Sequence, residues 1–165
     1  MSQHVIVKEY PQPRPLVWKA LTDPQLIPLW TSTGQGGRPE GFVPQVGTQF
    51  RFIGKPFPGW DGIVLCEVLD AEAPSLLRYT WRNKADDAPS IVTNRLEEVP
   101  GGTRLIWSHT DFKGVEGFIM ARLLGSVRRK MLSGGLPAVL NDLDADGRLR
   151  PGSLLRPKDL SVHGA

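Results

Sequence analysis

Apolar and polar positions change their spacing along this chain in a definite order, and that order predicts its elements. His4-Val5-Ile6-Val7-Lys8-Glu9-Tyr10 is a short β-prone run that Pro11 and Pro13 stop. Leu16, Val17, Ala20 and Leu21 then recur at helical spacing behind Pro15, which a first helical turn tolerates. Thr22-Asp23-Pro24 ends that helix and opens a second, with Asp23 as cap and Leu26, Ile27, Leu29 and Trp30 as its apolar face. From Thr31 to Val46 glycine and proline are frequent and no period is visible, which predicts a loop.

Strands are predicted next over 48–53, 60–71, 76–82, 91–99 and 103–112, with Pro100-Gly101-Gly102 turning the last pair into a hairpin. Alternation assigns their faces. Arg78, Thr80 and Arg82 point outward, so Leu77, Tyr79 and Trp81 point inward. The same rule turns Val92, Asn94 and Leu96 inward, together with Leu105, Trp107 and His109, and Phe50 and Phe52. In the strand that is apolar on both faces, an outward Glu67 leaves Val64, Cys66 and Val68 inside. Ile119, Leu123, Val127 and Met131, continued by Leu132, Leu136, Val139, Leu140 and Leu143, draw an apolar stripe along a closing helix. Gly134-Gly135 and Pro137 predict a kink or break in it, and Gly147 is a candidate C-terminal cap.

Charge and cysteine content narrow the picture only a little. Arg148, Arg150, Arg156 and Lys158 against Asp159 account for the whole net charge of +3, so the imbalance sits in a tail. The expected division is a domain over 1–147 and a basic tail over 148–165 that is flexible or loosely docked. The lone Cys66 excludes an internal disulfide and a cysteine-based zinc site. With no signal-peptide pattern and no apolar run of membrane length, the expectation is a reduced, cytoplasmic protein without stable membrane insertion.

The order strand, two short helices, strands, long helix is the helix-grip arrangement. It predicts an α+β fold in which a curved antiparallel sheet wraps a long C-terminal helix. Specific residues add to it. Pro15-Leu16-Val17-Trp18-Lys19-Ala20-Leu21-Thr22-Asp23-Pro24, with Trp30 beyond, resembles the opening of the START-like (SRPBCC) superfamily. It is most similar to homologues of the heat-shock-ninety ATPase activator. Glu67-Val68-Leu69, Leu77-Arg78-Tyr79-Thr80-Trp81, Gly101-Gly102-Thr103-Arg104-Leu105 and Ser108-His109-Thr110-Asp111-Phe112 extend the match. Near the end, Val127-Arg128-Arg129-Lys130-Met131 replaces that branch's tryptophan-rich helix start, and the chain also resembles polyketide cyclase and dehydrase relatives. The resemblance implies a ligand cavity between sheet and helix and leaves the function open, since members carry lipids, sequester compounds, close rings or stimulate a chaperone.

His109 is the first candidate for chemistry: His4 and His163 lie near the termini, while His109 falls on the inward face of the last strand. It falls beside Val92 and diagonal to Asn94, with Tyr79 on a nearby strand. These three are expected to orient one polar group of a ligand, unless His109 is simply bonded to backbone. Trp60, Trp81, Trp107, Phe50 and Phe52 serve as cavity wall or plain core, together with Val64, Cys66, Leu123, Val127 and Met131. Asp142, Asp144, Asp146 and Gly147 copy the start of a calcium hand, but Ser153 stands where its glutamate belongs, so no metal is expected. Arg122, Arg128, Arg129 and Lys130 read as a solvated basic face, and no nucleic-acid partner is expected. Gly34-Gln35-Gly36-Gly37 lacks the strand and helix of a phosphate loop.

The leading expectation is therefore a cofactor-free binder of a small hydrophobic molecule that does no chemistry on it. An enzyme using His109 as acid or base on a polyketide-like substrate is the first rival. A chaperone-linked interaction module is the second, and a homodimer stays open.

Overall fold

The computed structural model describes residues 2–31, 38–54, 56, 58, 61–112 and 126–155. Its elements run β1 (Ser2–Tyr10), α1 (Arg14–Thr22), α2 (Ile27–Thr31), β2 (Arg38–Glu40), β3 (Gln49–Ile53), β4 (Ile63–Glu72), β5 (Leu76–Trp81), β6 (Ser90–Val99) and β7 (Gly102–Phe112). A helix over 126–141, here α3, closes the described chain. The seven strands form one antiparallel sheet in the order β1-β7-β6-β5-β4-β3-β2, so the first strand pairs with the last. This is the α+β helix-grip fold that the element order predicts.

The inward assignments hold, whereas Thr80, expected to point to solvent, is buried with its hydroxyl accepting from the Glu67 amide. Leu77, Val92, Asn94, Leu96, Leu105, Trp107, His109, Phe50, Val64, Cys66 and Val68 are all buried. Gly101, at φ +84°, makes the β6–β7 hairpin turn in a conformation that a side chain would strain. Val92 lies opposite His109 and Tyr79 opposite Val92, which carries three inward positions across β5, β6 and β7.

Four local expectations need correction. The stretch read as loop contains β2, an edge strand paired to β3 and tied to it by Glu40 on Arg51 at 2.6 Å. Three residues are too few to show a period. The second helix begins at Ile27, because Asp23 first organises a turn: its side chain accepts from the Gln25 amide and its carbonyl from Leu26 and Ile27. The strand expected from Trp60 starts at Ile63, and Trp60 lies outside the described residues. Gly147 is not a helix cap. The helix ends at Asn141, and Gly147, at φ +80°, belongs to a later turn in which its amide donates to the Asp144 carbonyl.

The disturbance foreseen at Gly134–Pro137 takes the form of a π-helical turn, Met131–Gly135, running without a break into Leu136–Asn141. The Leu136 amide donates to the carbonyl of Met131, five residues back. In that register the carbonyl of Leu132 needs the amide of residue 137, and Pro137 has none. The hydroxyl of Tyr10, from β1, donates to it instead at 2.7 Å. A buried carbonyl thus keeps a partner that the helix itself does not supply.

Glycine is required at the same turn. A Cβ on Gly135 would stand 2.6 Å from the carbonyl oxygen of Trp30, so α3 and α2 approach backbone to backbone. Trp30 in turn donates its indole N–H to the carbonyl of Ala20 at 2.8 Å, tying α2 to α1.

The interior divides into two clusters. The first joins α1, α2, β1, β6 and β7 to the buried Leu132, Leu136, Val139 and Leu140 of α3. The second joins Ile27 and Phe42 to Phe50, Val64, Cys66, Val68 and Leu77. Trp18, Tyr79 and Trp81 pack against both and so occupy the seam between them. Beyond α3, Leu149 and Leu155 also pack on the first cluster.

Two neighbouring substitutions separate the close approach from ordinary helix propensity. Gly134 has open space at its Cβ position, so Gly134→Ala should be neutral or stabilise by up to about 1 kcal/mol. Gly135→Ala forces α3 away from Trp30 and should destabilise by about 1–3 kcal/mol. Urea denaturation of the two variants checks this, and equal effects would contradict it.

Candidate functional site

The seam carries the polar groups of the concave face, and each is placed there by strand alternation. His109 on β7 is fully buried. Its Nε2 meets the hydroxyl of Ser90, at the start of β6, at 2.6 Å. Its Nδ1 meets Nη1 of Arg128, on the first described turn of α3. A guanidinium only donates, so the contact with Arg128 fixes the tautomer. Nδ1 keeps its lone pair and accepts, while Nε2 carries the proton and donates to Ser90. Ser90 passes the chain on, donating to the carbonyl of Trp81 at 3.1 Å.

Arg128 is only 5% exposed. Its guanidinium carbon lies 4.5 Å from the ring centre of Trp81 and 4.4 Å from that of Trp107, so the two indoles flank it. Among the described residues no carboxylate is within ion-pairing distance of it. Burying a lone cation costs several kcal/mol. Two desolvated cation–π contacts of about 2 kcal/mol each and one charge-assisted hydrogen bond offset much of that cost. Burial nevertheless pulls the Arg128 guanidinium down to about 10.

Burial sets the protonation states around that charge. Burial first, then Arg128 and then His4, pull the His109 imidazole down to about 2, so it stays neutral. Burial drives the phenol of Tyr79 and the thiol of Cys66 well above their usual ranges, and both stay protonated. Asn94, 3% exposed, lies near the Tyr79 phenol and slightly opposes that rise. Edge-on contacts then link the aromatics: Phe42 to Phe50 at 4.8 Å, Phe50 to Phe52 at 5.4 Å, Phe50 to Tyr79 at 5.5 Å, and Trp81 to His109 at 5.5 Å.

The structure therefore brings together most of the residues singled out from the sequence. Tyr79, Asn94, His109, Trp81 and Trp107 converge at the seam, with Phe50 and Phe52 beside them. Val64 and Cys66 belong to the second cluster behind Phe50. Val127 and Met131 on α3 are half-buried, and Leu123 lies outside the described residues. Two residues of the site escape sequence reasoning. Ser90 precedes the strand that the alternation predicts, and no period marks it. The basic run predicts a solvated face for Arg128, and that is wrong for this residue, although its neighbours Arg129 and Lys130 are exposed. A signal was present: position 128 lies four residues before Leu132 and eight before Leu136, on the apolar stripe itself.

The aspartates after α3 serve the chain's own turns. Asp144 accepts from the amides of Asp146 and Arg148, and Asp142 accepts from the Ser153 hydroxyl.

This architecture has relatives. Residues 11–145 match the pattern of the family described as "Activator of Hsp90 ATPase homolog 1-like protein". The chain belongs to that family. As an activator-homologue-like protein it shares its fold with protein MLL2253 from Mesorhizobium loti, at 26% identity and a TM-score of 0.71, over 87% of this chain and 99% of that one. CalU16 from Micromonospora echinospora superposes with a TM-score of 0.63 at 24% identity, over 88% and 78%. DynU16, described as a putative protein in the dynemicin biosynthetic locus, gives 0.66 at 19%, over 86% of this chain and 48% of its own. Among curated proteins none matches this chain. No described helix of this activator-homologue-like protein is long and apolar enough to cross a membrane.

The neutral imidazole has a consequence for acid stability. The unfolded His109 takes up a proton near its ordinary 6.5, and the folded one only near 2. Its contribution to stability is therefore complete above about pH 6.5 and is lost as pH falls below it, by up to ~1.4 kcal/mol per pH unit. Between pH 7 and pH 5 this amounts to about 2 kcal/mol. His109→Gln should remove most of that slope in paired urea titrations, His4 supplying part of what is left. An unchanged slope would place the acid-sensitive group elsewhere.

Proposed function

We propose that the protein binds a small hydrophobic molecule between the concave face of the sheet and α3, without chemistry on it. One observation carries this reading. Tyr79 sits on a central strand and faces inward against both clusters, yet it keeps solvent-accessible surface. Its neighbours leave part of its surface unclaimed at the seam of two clusters. Phe52, Trp81, Val127 and Met131 are likewise only half-buried. Protein interiors are close-packed, so inward aromatics that keep exposed surface mark a place where a further apolar group can pack. The driving force would be burial of ligand surface, at roughly 25 cal/mol per Å². The polar groups of Tyr79 and Asn94 supply orientation, as a few placed polar groups do in apolar pockets.

The enzyme reading gains less support. A general base needs a lone pair within reach of the substrate. In His109 that lone pair accepts from Arg128, the other nitrogen is turned to Ser90, and the ring is a very weak base. Its place is to position Arg128.

A thermal-shift and native-mass-spectrometry screen against fatty acids, sterols, flavonoids and polyketides tests the binding reading. At a free concentration about 100-fold above Kd, a true ligand adds about 2.7 kcal/mol, raising Tm by several degrees. Val127→Trp, which fills space beside α3, should weaken that ligand at least about tenfold, a cost of about 1.4 kcal/mol. The reading fails if no compound in the screen binds.

A further inference from the structure

Arg128 has more hydrogen-bonding capacity than the described residues use. Nη1 donates to His109, and among the described residues the remaining guanidinium N–H groups have no hydrogen-bond partner. The side chain is nevertheless more than nine-tenths buried, on the inward side of α3 and against the sheet. The indoles of Trp81 and Trp107 flank it, so any further partner meets the guanidinium edge-on, where its N–H groups point.

Among the described residues the surroundings also lack a negative charge. His109 is neutral, and the phenol and thiol nearby keep their protons. Among the described residues none pairs a carboxylate with Arg128. A protein that needed only to fill this position would do so at lower cost with an apolar side chain of similar volume. A guanidinium that is held in place by His109 and two tryptophans, with donors that the described residues leave unused, is a preorganised fork for a planar oxyanion.

The geometry points to a ligand with an apolar body and a carboxylate head, the head docking on the edge of Arg128 and the body lying along Phe52, Tyr79 and Trp81. This inference rests on the binding reading above and adds the chemical class of the ligand. His109 and Ser90 act as positioning residues in it. They fix the guanidinium and do not touch the ligand head.

Matched pairs of probes test it. Decanoate and 2-naphthoate are titrated against their methyl esters, following the fluorescence of the tryptophans that flank Arg128 and confirming with calorimetry. At least one acid should bind about tenfold or more tighter than its own ester. Arg128→Met should bring acid and ester to within about twofold of each other by weakening the acid alone, and Arg128→Lys should keep part of the preference. The wild-type acid-to-ester ratio decides the matter even if a variant fails to fold. If acids and esters bind alike to the wild-type protein, the carboxylate inference is overturned while the binding reading stands. If neither acids nor esters bind, and the wider screen is also empty, both fall together.

Discussion

A cation inside a protein must be compensated by groups brought to it, because water no longer does so. In this protein the burden falls on Arg128. Its compensation comes from three strands at once: Trp81 from β5, His109 from β7 with Ser90 of β6 behind it, and Trp107 from β7. None of these contacts is an ion pair. The result is a positive charge that is stabilised and, among the described residues, not neutralised. The tautomer of His109 depends on that arrangement, whereas Tyr79 and Cys66 keep their protons because burial outweighs the opposite pull of Arg128.

The other half of the design is how α3 is held over the sheet. Its apolar stripe is interrupted by two glycines and a proline, any of which weakens an isolated helix. The chain uses them to make a π turn and tertiary contacts. Gly135 lets the backbone of α2 come within contact of α3, and Tyr10 supplies the donor that Pro137 lacks. A π turn inserts a residue into the helical repeat and rotates the residues beyond it by about 100°. Arg128 before the turn and Leu136, Val139 and Leu140 after it are all buried. A helix pinned in this way places a charged side chain at the seam with little freedom to withdraw.

Membership of the activator-homologue-like family establishes the fold and says little about the occupant of the concave face. The local chemistry is more informative. A histidine with both nitrogens engaged is poorly suited to proton transfer and well suited to orientation. A guanidinium flanked by aromatics with unused donors is suited to recognition.

Much of this was legible in the sequence, because strands and helices carry local periods. Alternation put Tyr79, Asn94, Trp81, Trp107 and His109 on one face, Pro100-Gly101-Gly102 marked the hairpin, and Gly134 to Pro137 marked the disturbance in the last helix. What escaped were features made by residues far apart in the chain. β2 is too short to show a pattern and exists because β3 lies beside it. Ser90 matters only because β6 pairs with β7. The hydroxyl that satisfies Leu132 comes from Tyr10, 122 positions away. Arg128 is the sharpest case. By composition it belongs to a basic run facing water, and only the convergence of two indoles and an imidazole makes an interior position tolerable for it. Periodicity determined which way each residue points, whereas the free energy of the surroundings it points into was decided by tertiary structure alone.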